Sequence, residues 1–211
     1  MKVTLKLLLA VAVVLLAYMC YQSIMTPIKF DKEKEIRDDA IIARLIEIRK
    51  AQIEYKNVKG THAKTFDELA NFLNTEKLPF LIKEGVLTDE QLEQGMTEQE
   101  AVKKGLIRRD TVWVLAKDTI LGANYNVADM RYVPNVPGEK IEFKMDTATL
   151  TSGSGYQIKV FVCEVPFASY LRDMDAQLTY NLIDKAQKQN KFPGLRVGSL
   201  EEINNNAGNW E

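Results

Sequence analysis

From Leu7 to Tyr21 the chain reads LLLAVAVVLLAYMCY, fifteen residues without a polar interruption. Widened to Val3–Met25, the stretch is 23 residues long and is broken only by Thr4, Lys6, Gln22 and Ser23. As a helix it measures roughly 34 Å, enough to cross a hydrocarbon core of about 30 Å. Lys6 near one end can snorkel to the headgroups, and Tyr18 and Tyr21 stand near the other as an interfacial belt would place them. Three readings compete: an anchor, a cleaved signal peptide and a lipoprotein signal. Signal peptidase wants small residues after the apolar run, where this chain has AYMCYQSIM. A lipobox wants small residues before its cysteine, and Tyr18 and Met19 precede Cys20. The pattern therefore favours an uncleaved membrane anchor.

Pro27 is expected to separate this span from the next helix, because proline disfavours helical backbone in the residue before it. A helical pattern follows from about Asp31 to Val58. Ile41, Leu45, Ile48, Gln52 and Tyr55 fall on one stripe with Ile42, Ile46 and Ile53 beside it, and Arg44, Glu47, Lys50 and Glu54 lie opposite. An apolar side covering half the circumference suits a helix laid on a sheet better than a two-stranded coiled coil, which needs only a narrow seam. The preceding DKEKEIRDD has Ile36 as its only apolar residue. It is expected to stand in solvent between membrane and body, helped by pairs such as Glu33 with Arg37. Gly60 stops the long helix, THAK forms a loop, and TFDEL restarts with Thr65 as N-cap and Glu68 as its capping partner. Tyr55 and Phe66 are expected to close that junction, and His62 to be a solvated loop residue.

Short helical pieces are expected at FDELANFL, EKLPFLIKEG, TDEQLEQG and TEQEAVKKG, with a second capping box at Thr97 and Glu100 and terminators at Gly85, Gly95 and Gly105. From Thr111 the chain turns to strands: TVWVLA, RYVPNV, KIEFKMD, ATLTS and YQIKVFVCEV are rich in β-branched and aromatic residues. Thr151–Gly155, TSGSG, reads as the turn of a hairpin. Helical patterning returns in DAQLTYNLIDKAQKQN and ends at Pro193-Gly194. The polar tail EEINNNAGNWE is either a flexible end or a strand-like peptide that docks on the body or on a partner. The fold class is thus α+β: an N-terminal transmembrane helix, a long amphipathic helix packed on an antiparallel sheet, and short helices between. The expected domains are an anchor over 1–27, a stalk and long helix over 28–60, and an extracytoplasmic body over 61–211, on which residues 41–58 pack.

Charge narrows the partners. The chain has 28 basic and 29 acidic residues, and removing the first 25 takes away Lys2 and Lys6 and no acid, leaving 26 against 29. A mildly acidic soluble part lacks the basic surface that nucleic acid requires, so no nucleic acid is expected. Lys2 and Lys6 before the span favour a cytoplasmic N-terminus in the inner membrane, with a periplasmic body. Cys20 lies in the span and Cys163 in a strand, so the two are not expected to pair, and Cys163 reads as a small core residue.

Candidate chemistry is sparse. The chain has one histidine and two separated cysteines, and it carries no phosphate loop, C-x-x-C, H-E-x-x-H or EF-hand spacing. Ser154 between glycines lacks the G-x-S-x-G spacing and the strand-to-helix turn of a nucleophile elbow. Asp38-Asp39 and Glu201-Glu202 read as surface charge. Lys103, Lys104, Arg108 and Arg109 read as a solvated helix end. No catalytic, cofactor-binding or metal residue is assigned, no cofactor is expected, and the chain is not expected to be an enzyme.

The run IARLIEIRKAQIEYKNVKGTHAKTFDEL, behind an apolar helix and ahead of an antiparallel sheet, resembles the type IV pilins and type II secretion pseudopilins. There a helix leaves the membrane, packs on a sheet and ends in a Tyr, a Gly and a short capped segment, here Tyr55, Gly60 and TFDEL. Anchor, stalk and small α+β body are also similar to the single-pass alignment subunits of such secretion machines, and the Asn-rich end resembles envelope proteins of Bacteroidetes. The resemblance implies a pilin-like extracytoplasmic domain. Residues 3–25 contain no acid, no leader precedes them and Pro27 intervenes, so prepilin processing and filament assembly are not expected. The function expected is a non-enzymatic membrane-anchored envelope protein, a structural or assembly component with protein partners. The alternative is an extracytoplasmic ligand- or peptide-binding module.

Overall fold

The computed structural model describes residues 2–85, 95, 97–106 and 108–211. Its first element, α1, is one unbroken helix over Lys2–Lys59. The expected break at Pro27 does not occur, for the proline lies inside the helix. A proline there removes the bond to the Ser23 carbonyl and crowds it, costing about 3 kcal/mol. The turns on both sides are already helical, so the costly nucleation step is not repeated. Side chains brace the approach: Gln22 Nε2 donates to Tyr18 Oη at 2.7 Å, and Thr26 Oγ1 to Gln22 Oε1 at 3.4 Å. Residues Val3–Ile24 are all exposed, so the chain itself does not cover its most apolar stretch. Among the described helices α1 alone is long and apolar enough to cross a membrane, consistent with a single span or a signal sequence.

Beyond the span, α1 is packed earlier than its charges suggest. Phe30, Arg37, Ile41, Leu45, Ile48 and Gln52 are buried along one stripe, spaced by the threes, fours and sevens of a helix face. DKEKEIRDD therefore stands only partly in solvent: six of its nine residues are exposed, while Lys34 and Asp38 are half-buried and Arg37 is buried. Its Arg37 is buried while Ile36 is half exposed, because the packed stripe runs through position 37 rather than 36.

The chain divides into two units, Met1–Arg49 with Met130–Glu211, and Lys50–Asp129. In the first, strands β3 (Lys144–Thr151), β4 (Gln157–Pro166) and β5 (Gly194–Gly198) form an antiparallel sheet in the order β3-β4-β5. The register sets Lys144 opposite Glu164, Met145 opposite Cys163, and Cys163 opposite Val197. The alternation of β4 buries Phe161, Cys163 and Val165 on one face, and Leu195, Val197, Phe143, Met130, Tyr170 and Leu171 complete the core with α1's stripe. Ser152 N donates to the Tyr156 carbonyl and Gly155 N to the Ser152 carbonyl, closing the β3–β4 turn as expected over TSGSG. Two short helices of this unit are Phe167–Tyr170 and Ala176–Lys188, the latter capped by Asp175, whose side chain accepts from the Leu178 amide.

Two readings of this unit need correction. RYVPNV is not a strand: Val127–Arg131 is a 3-10 turn, and Tyr132 makes a single bridge to Glu142. Proline at 134 and Asn135 at φ 57 interrupt any ladder. Residues past Pro193 do contain a strand, β5, which was not foreseen because it is short and glycine-flanked. Gly198 has φ 74, and a Cβ there would lie 2.1 Å from the Phe161 carbonyl oxygen. Only glycine lets β5 approach so closely. The tail resolves in favour of docking on the body: Gly208 bridges Val197, and Asn209 Nδ2 donates to the Gly194 carbonyl at 2.8 Å.

In the second unit the end of α1 leads through Gly60, at φ 71, into α2 (Phe66–Thr75). Thr65 caps α2 as expected, accepting from the Glu68 amide, while Glu68 Oε2 accepts from the Lys64 amide. Tyr55 meets Phe72, not Phe66, edge to face at 5.1 Å between centroids. Phe72 is two turns into α2 on its buried face with Leu69 and Leu73, whereas Phe66 stands at the helix start. The piece EKLPFLIKEG is no helix but strand β1 (Lys77–Glu84), paired antiparallel with β2 (Arg108–Leu115). Pro79 disfavours a helix interior, and with β2 there to pair, its β-forming neighbours take the extended alternative. Helix α3 (Glu98–Lys103) carries the expected Thr97–Glu100 capping box, and α4 (Ala116–Ile120) follows β2 directly. Of TDEQLEQG, all but Gly95 lies outside the described residues.

Candidate functional site

Three places gather functional groups, each within a single unit. The first is a clamp on α1. Arg37 Nη1 and Nη2 donate to the two oxygens of Asp173 at 2.6 and 2.8 Å, and Nη1 also reaches the Tyr170 carbonyl at 2.8 Å. Tyr170 Oη donates to Asp38 Oδ1 at 2.6 Å, and Lys34 pairs with Asp38 at 2.5 Å. The guanidinium holds the Asp173 carboxyl below the usual carboxylate range, chiefly through the paired hydrogen bond. Burial, with the Asp38 charge beside it, pushes the Tyr170 phenol up. Asp38 is therefore a structural acceptor and not the surface charge that its sequence suggested, while Asp39 is exposed.

The second is a row across the outer face of the three-stranded sheet. Lys144, Glu164 and Arg196 stand opposite one another in register. They line a cavity of about 370 Å³ with Asp146 and Glu201. Burial raises the Glu164 carboxyl, and the two flanking cations oppose that rise. Alternating charge on directly opposed strands is itself a stabilising cross-strand arrangement.

The third lies in the unit Lys50–Asp129. Ile53, Glu54, Asn57 and Val58 of α1, with Leu78 and Pro79 of β1 and Ile120 of α4, line a groove of about 670 Å³. Nearby large apolar side chains are also left outside: Phe80 is 52% and Trp113 60% exposed, with Val58 and Val112 between 40 and 46%. Single exposed apolar residues are ordinary at a surface; here Phe80 with Val112 and Trp113 with Pro79 flank the groove on alternate faces of the two-stranded sheet.

The sheet beside this groove has two unlike edges. The Ala116 amide donates to the Glu76 carbonyl at 2.8 Å, and Glu76 and Ala116 extend the register that sets Lys77 opposite Leu115. In an antiparallel pair, positions that exchange bonds alternate with positions whose N–H and C=O point outward. Leu78 with Val114 and Phe80 with Val112 are then bonded pairs, while Lys77, Pro79, Thr111, Trp113 and Leu115 point their backbone groups to the outside. Proline at 79 thus lacks its N–H where none is needed, as an edge strand permits.

The other residues weighed in the sequence are not brought together. His62 is buried in its loop rather than solvated, because Gln52 on the packed stripe draws the loop in, bonding both the amide and the carbonyl of Ala63 at 2.9 Å. Cys163 is buried, and burial pushes its thiol up, away from a reactive thiolate. Ser154 lies in the hairpin turn, 2.9 Å from the Ser152 hydroxyl. Glu201 and Glu202 offer their amides to Ser199 Oγ. Lys103 and Lys104 are exposed at the end of α3, and the side chains of Arg108 and Arg109 lie outside the described residues. Among the described residues no group of three or more His, Cys, Asp and Glu side chains is placed to hold a metal ion. What sequence reasoning missed is the groove, since its walls come from three separate elements. Pro79 within an apolar run was its one legible trace.

No family, curated protein or solved structure matches the chain. Its pilin-like layout rests on architecture alone: a long N-terminal apolar helix followed by a small α+β body with antiparallel sheets.

Proposed function

We propose that the chain is a non-enzymatic, membrane-anchored envelope protein, a structural or assembly component whose body docks with protein partners. It sits in the inner membrane by its single N-terminal span, with the N-terminus cytoplasmic, after Lys2 and Lys6, and the body periplasmic. The observation that carries the docking is the apolar groove of the unit Lys50–Asp129, with Phe80, Val112 and Trp113 exposed beside it. Three of the groups with displaced titration, those of Arg37, Asp173 and Tyr170, are engaged in holding α1, which supports a structural use for them. The test is intact mass in separated membrane and soluble fractions, followed by photo-cross-linking from groove positions 53 and 58 and from the exposed Tyr156 and Tyr180 of the other unit. An unprocessed inner-membrane chain that cross-links to discrete proteins from the groove alone supports the reading; a shorter soluble chain, or no groove adducts, overturns it. A second reading, a small-ligand module, draws on the groove's size, which suits a compact ligand. A ligand-dependent melting shift without protein adducts would favour it.

A further inference from the structure

We infer that residues 167–173 of the first unit are seated in the headgroup layer of the bilayer that α1 crosses, which makes the phospholipid surface a partner of the body. This rests on the anchor proposed above and adds where the body stands on it. No linker parts the two, since α1 runs unbroken through Pro27 from the apolar stretch into the body. Its exposed run ends at Ile24, residues 25–27 are half-buried, and Phe30 is 5% exposed. Tyr18, Gln22 and Thr26 bond one another along the helix, so the two amide and hydroxyl side chains need no water and the apolar zone reaches this point. Phe30 follows Ile24 by six residues, roughly 9 Å of rise, and its side chain leans back toward the span. The polar layer is about 5–8 Å deep on each side of the hydrocarbon core, and any tilt of α1 lowers Phe30 further. Whatever covers Phe30 is therefore at headgroup depth. The sequence agrees: Ile28 is half exposed, Lys29 follows it, and the first acid of the chain is Asp31. Contacts farther along α1 say which end of the unit faces the membrane. Lys34 stands 5.5 Å over the Phe167 ring, Arg37 bonds the Tyr170 carbonyl and Asp173, and Arg49 reaches Asn206 and Glu211. Val162 of β4 pairs with Gly198, whose amide donates to the Ala207 carbonyl beside Asn206. β4 therefore runs from the level of Arg49 toward that of Lys34, delivering residues 167–173 to the membrane side and leaving the TSGSG turn at the far end.

The experiment places a bimane fluorophore at single cysteines of the full chain in nanodiscs of phosphatidylethanolamine and phosphatidylglycerol. Cys20→Ser removes the exposed native thiol, and Cys163 is buried and stays unlabelled. Ala168→Cys and Arg172→Cys report the membrane-side end and Tyr156→Cys the far turn, all three being exposed positions. A nitroxide on the lipid headgroup should remove roughly half of the emission at 168 and 172 and little at 156, because only the first two lie at the polar layer. A further variant inserts seven helix-forming residues after Ile28, lifting the body by about 10 Å at nearly the same rotation. It should abolish the quenching at both positions. Equal quenching at all three positions overturns the inference, and so does quenching that survives the insertion. The native Cys20, labelled in the parent chain, reports insertion through a nitroxide on the acyl chain. Absence of headgroup quenching at 168 and 172 with Cys20 quenched sinks the seating and leaves the anchor standing; an unquenched Cys20 sinks the anchor and the seating with it.

Discussion

The two units spend their apolar residues differently. Met1–Arg49 with Met130–Glu211 closes over Phe161, Tyr170, Leu171, Met130, Ile41, Leu45 and Ile48. Lys50–Asp129 buries four alanines from its helices and loop, Ala51, Ala63, Ala101 and Ala116, with Leu69, Phe72 and Leu73, while Phe80 and Trp113 stay outside. Each unit also ties a loop to α1 through a polar side chain on the buried stripe, but one tie is ionic and the other neutral. Arg37 holds Asp173 and the Tyr170 carbonyl; Gln52 holds Ala63 at both backbone groups. The first unit covers its large aromatic side chains, Phe161 and Tyr170, whereas the second leaves Phe80 and Trp113 more than half exposed.

Truncating the finished core should break the comparison most. Phe161→Ala leaves a cavity where α1 meets the sheet and is expected to cost about 3–5 kcal/mol. Amide exchange should loosen β3, β4 and β5 while leaving protection in α2 unchanged; equal loss in both would show that the units are one cooperative body. Next comes the ionic tie. Arg37→Ala strands the Tyr170 carbonyl and Asp173, for an expected loss of about 2–3 kcal/mol in urea unfolding, moderated because Asp173 is a third exposed.

Gln52→Ala should cost about 2 kcal/mol by orphaning both Ala63 groups, and that loss should not vary with pH. The ionic tie should vary. Asp173 is held below the usual carboxylate range, so its contribution is complete above about pH 4 and fades as pH falls through its folded value. Glu164 runs the other way, since burial raises it and its protonated form favours the fold. Subtracting the acid unfolding curve of Asp173→Asn from that of the parent isolates the first effect, and a flat difference below pH 4 would deny it. The smallest effect on stability belongs to Trp113→Ser, expected within about 0.5 kcal/mol because the side chain is mostly in solvent. The same change should lower binding of an apolar fluorescent dye; unchanged dye binding would remove Trp113 from the interaction surface.

Periodicity and local chemistry by themselves determined the span, the stripe through Ile41, Leu45 and Ile48, the capping boxes at Thr65 and Thr97, the TSGSG turn, and the β character of YQIKVFVCEV. These are short-range matters: rotamer preference, backbone donors seeking partners within three or four residues, and a turn that needs glycine. Only tertiary structure decided the rest. Arg37 looked like solvated charge because its partner lies 136 residues away, although its place four residues before Ile41 on the buried stripe was a readable sign. KLPFLIKE resembled a helical piece until β2 supplied its ladder, because a strand has no internal bonds and exists only with a neighbour. β5 waited on the close approach that Gly198 allows, and Pro27 was overridden by helix already formed on both sides. The groove arises where α1, β1 and α4 meet, and no local pattern encodes a surface assembled from elements that far apart in the chain.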